Sequence, residues 1–527
     1  MSEYNLLEEK WIECVDLAGK SKDVSIREIL TEAHQLKRLA NSISLVNASI
    51  YFLLETILLR ALTDAGVDLV DYEQWYQGYQ TGIFNGKALN DYFEKWHARF
   101  FLFDDEYPFL QIKIEGECYR GSAMKLLPHF SGGTGGNSAT LFDHHTEDEG
   151  ISLSKKEAAN YLLVAHQYGV GGRVMGGDYF SESLPCNGLS FFLQGVNLFE
   201  TLYLNLLPYP DVAGYPTKDR DCPIWEREEP YDPAERSAVI EGKKTSYQPL
   251  GLLDLLTWPG RKIQLLLGED QCVHEINMRS GLKMIPHPFP WYVYNKKGYD
   301  LRARVDRAVW RDYATLLQFH GLVTDEDDKS RSSQSLQWLH ELKRADFSFV
   351  HSFSLAALGM AKEAGKQKVY LYNEQNLPLP QEYLDDENLS LDIAEQLNIA
   401  ELIQKSLYGS MRSFVENVLS FQSRNEDGRK PDKKDVTNLM NHLGAERFYW
   451  AELERAFTLL VNELPNDREK AIQKWQISVR SSAWNAFNQA VALAGESIHA
   501  LKASIVAGGF LATGLKKNLK IIKEEME

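Results

Sequence analysis

The chain changes texture once and for good after Pro378-Leu379-Pro380, and that change constrains the fold more than any other feature. Beyond it lie four segments of helical composition, 389–422, 433–464, 467–494 and 496–525. The breaks between them are Asn425-Glu426-Asp427-Gly428, Pro465-Asn466 and Gly495. Apolar residues recur at three- and four-residue steps, as at Leu453, Ala456, Phe457 and Leu460. A helix with such a stripe must bury it, and four helices joined by short connections do so as an up-and-down bundle. Charge follows the same boundary. From Leu389 onward there are 18 basic and 18 acidic residues; the rest holds 39 basic against 56 acidic and carries the whole net charge of −17. Two bodies with different neighbours are expected, a mixed domain over 1–380 and a bundle over 389–527.

The first body reads as irregular, so the expected class is α+β. Trp11 to Val15 is strand-like, and Ser25 with Glu28 three residues on forms a capping box. Leu45 to Leu62 has apolar residues on more than one face and predicts a core helix. Tyr72 to Phe103 is aromatic-rich and helical in pieces, and Lys155 to Tyr168 is helical. Leu189 to Leu207 is a further apolar run, and 208–249 is a turn-rich, charged excursion. Ile263 to Leu267, Trp291 to Tyr294 and Val369 to Tyr372 predict strands; Val305 to Phe319 and Gln334 to Arg344 predict helices.

Composition excludes several classes. With 44% hydrophobic and 25% charged residues the 527-residue chain can bury a core without disulfides or metal. Its five cysteines, Cys14, Cys118, Cys186, Cys222 and Cys272, never form a CxxC pair and indicate neither a disulfide framework nor a zinc ribbon. The start, MSEYNLLEEKW, lacks the basic-then-apolar pattern of a signal peptide, and Ala503 to Leu515 is shorter than a bilayer span. A cytoplasmic protein with no membrane partner is expected. The acidic balance argues against a general nucleic-acid coat but leaves room for a local site.

Three segments are candidates for chemistry. In GVGGRVMGGD, glycines stand at 169, 171, 172, 176 and 177. A helix precedes them where a phosphate cradle needs a strand, and no GKS or GKT follows. A flexible connector is the plainest reading; the other is that bare backbone approaches another surface closely, such as a DNA groove. Asp143-His144-His145 matches the DHH signature of metal-dependent phosphoesterases, but no Asp-rich, strand-borne motif precedes it, and loop histidines are the better reading. In KEAGKQK (362–368), Gly365 suits a hairpin tip from which Lys366, Gln367 and Lys368 project.

Taken in order, NLLEEKWI, YPFLQ at 107–111, NSATLFDHH at 137–145, GVGGRVMGG at 169–177, TWPGRKIQL at 257–265 and IPHPFPWYV at 285–293, followed by the bundle, resemble the CasA family. These are the large subunits of type I-E Cascade, the CRISPR RNA-guided surveillance complex of bacteria. The resemblance covers essentially the whole chain. It implies a subunit without catalytic residues or cofactor that recognises the protospacer-adjacent motif (PAM) in duplex DNA, starts strand separation and R-loop formation, and helps recruit a helicase-nuclease. Implied partners are the other Cascade subunits with their CRISPR RNA, PAM-bearing double-stranded DNA and that nuclease. By the same resemblance Gly169, Gly171 and Gly172 lay backbone against the PAM minor groove, and Gly365, Lys366 and Gln367 form a wedge that splits the first base pair. Either Arg279 or Lys283 reaches the groove. Asn137 to Phe142 contacts the complex near the guide's 5′ end, with Leu141 or Phe142 as apolar anchor. Some relatives carry a cysteine cluster before the PHP segment; here only Cys272 stands, so no metal is expected.

Overall fold

The computed structural model describes residues 3–128, 151–173, 179–208, 220–242, 244–318, 329–363, 368–422 and 431–519. The chain divides into two compact units. One comprises Met1–Arg307 with Gly321–Asn376, the other Ala308–His320 with Leu377–Glu527. The architecture is α+β, with strands in the first unit and long helices in the second.

The first unit is assembled around the helix Ser44–Asp64, nearly all of whose residues are buried. An all-round apolar helix has no solvent face and belongs in a core. Against it pack the helices Lys155–Gln167 and Gly86–Trp96 and the strand Phe353–Lys362. The capping box at Ser25 is formed: Ser25 Oγ accepts from Glu28 N at 3.1 Å and Glu28 Oε2 accepts from Ser25 N at 3.0 Å. Three small sheets run Ser21–Val24/Ile12–Asp16/Leu36–Leu39, Arg261–Leu267/Val273–Ser280/Tyr119–Ser122 and Val369–Leu379/Phe353–Lys362/Ser190–Gln194. The apolar run from Leu189 thus resolves into a strand followed by the helix Leu198–Asn205.

Buried charge ties distant segments of this unit together. Asp254, at the centre of the short helix Leu252–Leu256, accepts from Arg236 Nη2 and Nε at 2.7 and 3.1 Å, and both side chains are buried. Asp221 accepts from the backbone nitrogens of Leu253 and Asp254, each at 2.8 Å, where the helix leaves N–H groups unpaired. Glu55 differs: it lies 3% exposed in the central helix with neither oxygen hydrogen-bonded, and burial holds its pKa well above the usual carboxylate range.

Two expectations fail in detail. Trp291 to Tyr294 is no strand; it leaves a turn closed by Tyr292 N donating to the Phe289 carbonyl at 3.0 Å, its Trp291 carbonyl accepts from Phe191 N, and Tyr294 forms isolated bridges. Of Val305 to Phe319, the described residues 305–318 form only a 3-10 turn, Val309–Asp312, and a single helical turn, Tyr313–Leu316. Their aromatic residues pack into the second unit: Trp310 and Tyr313 lie 4.9 and 5.4 Å from the Phe457 ring.

Besides those short turns, the described α-helices of the second unit are Glu387–Gln422, Lys433–Leu443, Ala445–Glu463, Arg468–Leu493 and Ile498–Asn518. The segment read as one helix over 433–464 is broken at Gly444, which sits at φ 63° and is at once the end of one helix and the start of the next. Partner registers give alternating directions. Tyr449 bonds the Ala400 carbonyl at 2.9 Å and Tyr383 that of Val461 at 3.1 Å. Glu452 pairs with Asn485, and Glu463 with Lys474. The last helix buries Ala500, Ala503, Ala507, Leu511 and Leu515. Its Ala507 carbonyl accepts from Ser410, and Gly514 faces Ser406 so closely that a Cβ would lie 2.5 Å away. Ser44–Asp64 and Ile498–Asn518 are both long and apolar enough to cross a membrane, so the late apolar run sits in a longer helix than its own length suggests. The first is core, whereas the second leaves Ile498, Leu501, Ile505 and Phe510 exposed.

Candidate nucleic-acid interface

The glycine segment follows the helix Lys155–Gln167, which opens on a second capping box, Ser154 with Glu157. The helix ends at buried Tyr168, and the chain then meets Arg261, the first residue of its strand. The Arg261 guanidinium is buried, which lowers its pKa to about 10 and still leaves it charged at neutral pH. It donates to Ser183 Oγ at 2.7 Å, the Val170 carbonyl at 2.8 Å and the Ser181 carbonyl at 3.1 Å. A Cβ on Gly169 would fall 2.1 Å from Arg261 Cζ, so only glycine lets the arginine approach. Gly169 also accepts from Ser183 N at 2.9 Å.

Gly169 is therefore a correction. It is buried and serves packing, because the arginine covers the backbone that was expected to face a groove. Gly171 and Gly172 are half-exposed. A Cβ on Gly171 would meet Glu182 Cγ at 2.8 Å and the Phe180 carbonyl at 3.1 Å, and Gly172 stands at φ 155°. From here the chain forms an antiparallel ladder, with Gly172 opposite Phe180 and Arg173 opposite Tyr179. Residues 169–173 thus lead into this ladder and are held by Arg261, while Gly176 and Gly177 lie outside the described residues.

The second hairpin begins beside it. Lys362, the last residue of its strand, pairs through Nζ with the Glu182 carboxylate and lies 3.8 Å from Cys186 Sγ. The lysine side chain is 8% exposed and the glutamate 38%. Burial pushes the Cys186 thiol up to about 12, so this neighbour is neutral. Glu363 N donates to the Lys368 carbonyl at 2.9 Å, joining the two ends of the segment 364–367. Lys368 is exposed, with Nζ 5.3 Å from the centre of the half-exposed Tyr370 ring.

Arg279 and Lys283 are both exposed. The strand Val273–Ser280, which carries Arg279, packs against Tyr179–Phe180 of the glycine hairpin. Gly281 N donates to the Gly260 carbonyl at 3.1 Å and Leu282 N to that of Pro259 at 2.8 Å, which fixes the loop bearing Lys283 beside Arg261. Leu282 and Met284 line a small cleft together with Ser181, Glu182, Ser183 and Arg261. Among the described residues neither Arg279 nor Lys283 has an acidic partner.

The structure thus brings Gly171, Gly172, Arg279, Lys283 and the strands entering and leaving 364–367 together within one unit. Gly365, Lys366 and Gln367 themselves lie outside the described residues, as do Asn137, Leu141 and Phe142 and the Asp143-His144-His145 triplet. Among the described residues no three His, Cys, Asp or Glu side chains gather as a metal site would require. Reading the sequence missed Arg261, Glu182 and Lys362 as organisers. The one available signal was a basic residue opening an apolar strand, in PGRKIQLLL.

Known proteins agree with this architecture. A Thermus thermophilus protein described as CRISPR-associated protein CasA/Cse1 is 29% identical over 518 residues, 95% of each chain. A crystal structure of Thermus thermophilus CasA superposes with a TM-score of 0.79 at 25% identity, covering 98% of this chain and all of that one. A chain of a CRISPR RNA-guided surveillance complex shares the fold at a TM-score of 0.72 and 19% identity, covering 97% of this chain and all of that one. The profile of the CRISPR-associated protein Cse1 family matches residues 5–486, and the chain belongs to that family.

Proposed function

We propose that this chain is the non-catalytic large subunit of a cytoplasmic CRISPR RNA-guided surveillance complex, recognising a PAM in duplex DNA and starting strand separation. The backbone at Gly171 and Gly172 lies along the minor groove with Arg279 or Lys283 entering it, and the prong at Gly365, Lys366 and Gln367 divides the first base pair. Minor-groove edges present a degenerate pattern, so a reader made of backbone and few side chains tolerates several PAMs. Unstacking one step costs a few kcal/mol, which groove contacts and a wedge offset locally. Sequence is then read by pairing with the guide RNA. Partner subunits that hold most of the nucleic acid relieve this chain of the need for a basic surface, which reconciles DNA recognition with a net charge of −17. The segment around Asn137, Leu141 and Phe142 contacts the complex near the guide's 5′ end, and the assembled subunit helps recruit a helicase-nuclease.

The observation that carries this reading is the juxtaposition of the two hairpin roots, with Glu182 seated against Gly171 on one side and paired with Lys362 on the other. A gel-shift with guide-loaded partner subunits, with and without this chain, tests it. PAM-bearing duplex should bind at least about tenfold more tightly when the chain is present, within the few kcal/mol that separate specific from non-specific binding. Unchanged affinity would refute the reading.

A further inference from the structure

Two hairpins that act on one short stretch of duplex must keep a fixed offset from each other. In the first unit that offset does not come from shared strands, because the ladder Gly172–Arg173/Tyr179–Phe180 and the sheet containing Phe353–Lys362 are separate. Besides the chain from Phe180 to Ser190, which enters that sheet opposite Leu358, a side-chain pair joins them. Glu182 follows the return strand of the glycine hairpin, and its Cγ fills the space that a Cβ on Gly171 would need. Its carboxylate meets Nζ of Lys362, one residue before the bond from Glu363 N to the Lys368 carbonyl. On the opposite side Arg261 holds Ser181 and Ser183, the residues flanking Glu182, so the glutamate is fixed from both directions. Lys362 is fixed as well: its stem is buried and its ammonium lies beside the neutral Cys186 thiol.

We propose that the Glu182–Lys362 ion pair is a latch that sets the position of the glycine hairpin relative to the prong-bearing hairpin. Glu182 and Lys362 are positioning residues: neither touches DNA, and both act through the backbone each one anchors. The inference rests on the DNA-opening reading for its consequence, but not for its physical content. Coupling through a two-sided contact of this kind is worth a few-fold to tens-fold in the coupled step. Glu182→Gln keeps the shape against Gly171 and removes the charge, so it tests the pair without emptying the space.

Hydrogen exchange on the isolated full-length chain addresses the latch itself. Lys362→Gln should speed exchange at Phe180 and Glu182 in the other hairpin, and Glu182→Gln should speed exchange at Glu363. The double reversal Glu182→Lys with Lys362→Glu should restore part of the protection. Exchange that stays local to each substituted residue overturns the latch whether or not the chain binds DNA. In the assembled complex, Glu182→Gln should slow strand opening about tenfold, read by fluorescence of a base analogue beside the PAM. Binding to a duplex already unpaired at that position should change less than twofold. Equal losses on both substrates overturn the proposed coupling. A wild-type assembly indifferent to the PAM overturns the DNA reading alone, and the exchange result still decides the latch.

Discussion

The two units reach a stable interior by different means. The second is ordered by periodicity: Leu389, Ile393, Leu397 and Leu407 are buried along one helix, as are Leu453, Phe457 and Leu460 along another. Its polar contacts add to an arrangement that apolar stripes already specify, as where Trp475 donates to the Gln396 carbonyl at 3.3 Å. The first unit depends on buried charge at sites far apart in sequence. Arg261 reaches Ser181, Ser183 and Val170, while Arg236 reaches Asp254 and the Asp221 carboxylate caps the backbone of Leu253 and Asp254. Small sheets of two or three strands cannot hold one another by ladders alone, so desolvated ion pairs and aromatic contacts fix the offsets between them. A scaffold of that kind can place loops accurately, but each buried charge must then keep its partner.

The sharpest way to break this comparison is to remove such a partner. Asp254→Ala should destabilise the first unit by about 3–5 kcal/mol, because Arg236 is left buried without its acid. Hydrogen exchange should show lost protection across the first unit and retained protection in the helices after Glu387; loss shared equally by both would erase the distinction. Glu55→Gln probes the opposite case, a buried acid with no partner. Its folded pKa is raised, so the stability linked to its proton is complete at acid pH, below the unfolded value near 4.5, and is lost as pH rises toward the folded value. The variant should therefore match the wild type near pH 4 and become progressively more stable above it, by at most about 1.4 kcal/mol per pH unit. A gap in unfolding free energy that stays constant across pH in denaturant titrations would contradict this. The smallest effect is expected in the helical unit. Gly444→Ala should cost about 1–2 kcal/mol through its left-handed φ, since the nearest group to a new Cβ is the movable end of Arg447. Protection should fall in the helices on either side of residue 444 without loss elsewhere.

Legibility divides along the same line. Signals that are local in sequence were readable: the capped helix start at Ser25, the core helix near 45–62 and the helical texture after Pro378 all have structural counterparts, whereas the box at Ser154 and Glu157 was not read. The break at Gly444 escaped because the residues on either side are good helix formers, and only the backbone angle distinguishes an interior glycine from a junction. The strand expected at Trp291 failed for a different reason, since aromatic residues suit a buried turn as well as a strand. Of the candidate site, the glycine segment and Lys362 hairpin were visible as motifs. The buried arginine that roots one, and the glutamate that links them, were not, because those contacts span 78 to 91 and 180 residues. Gly169 shows the cost of reading motifs without packing: a glycine within a binding-type sequence is there to make room for an arginine.

The alanine-lined seat of the last helix has a mechanical consequence. Where Glu387–Gln422, Ala445–Glu463 and Arg468–Leu493 set Leu, Ile, Phe or Trp into the interior, Ile498–Asn518 contributes three methyl groups and two leucines. Less apolar area per turn means less work to lift it away. Tension applied at the C-terminal end should strip this helix first, before the aromatic cluster around Phe457 yields. A fusion or surface attachment at that end would load this lightly seated helix directly.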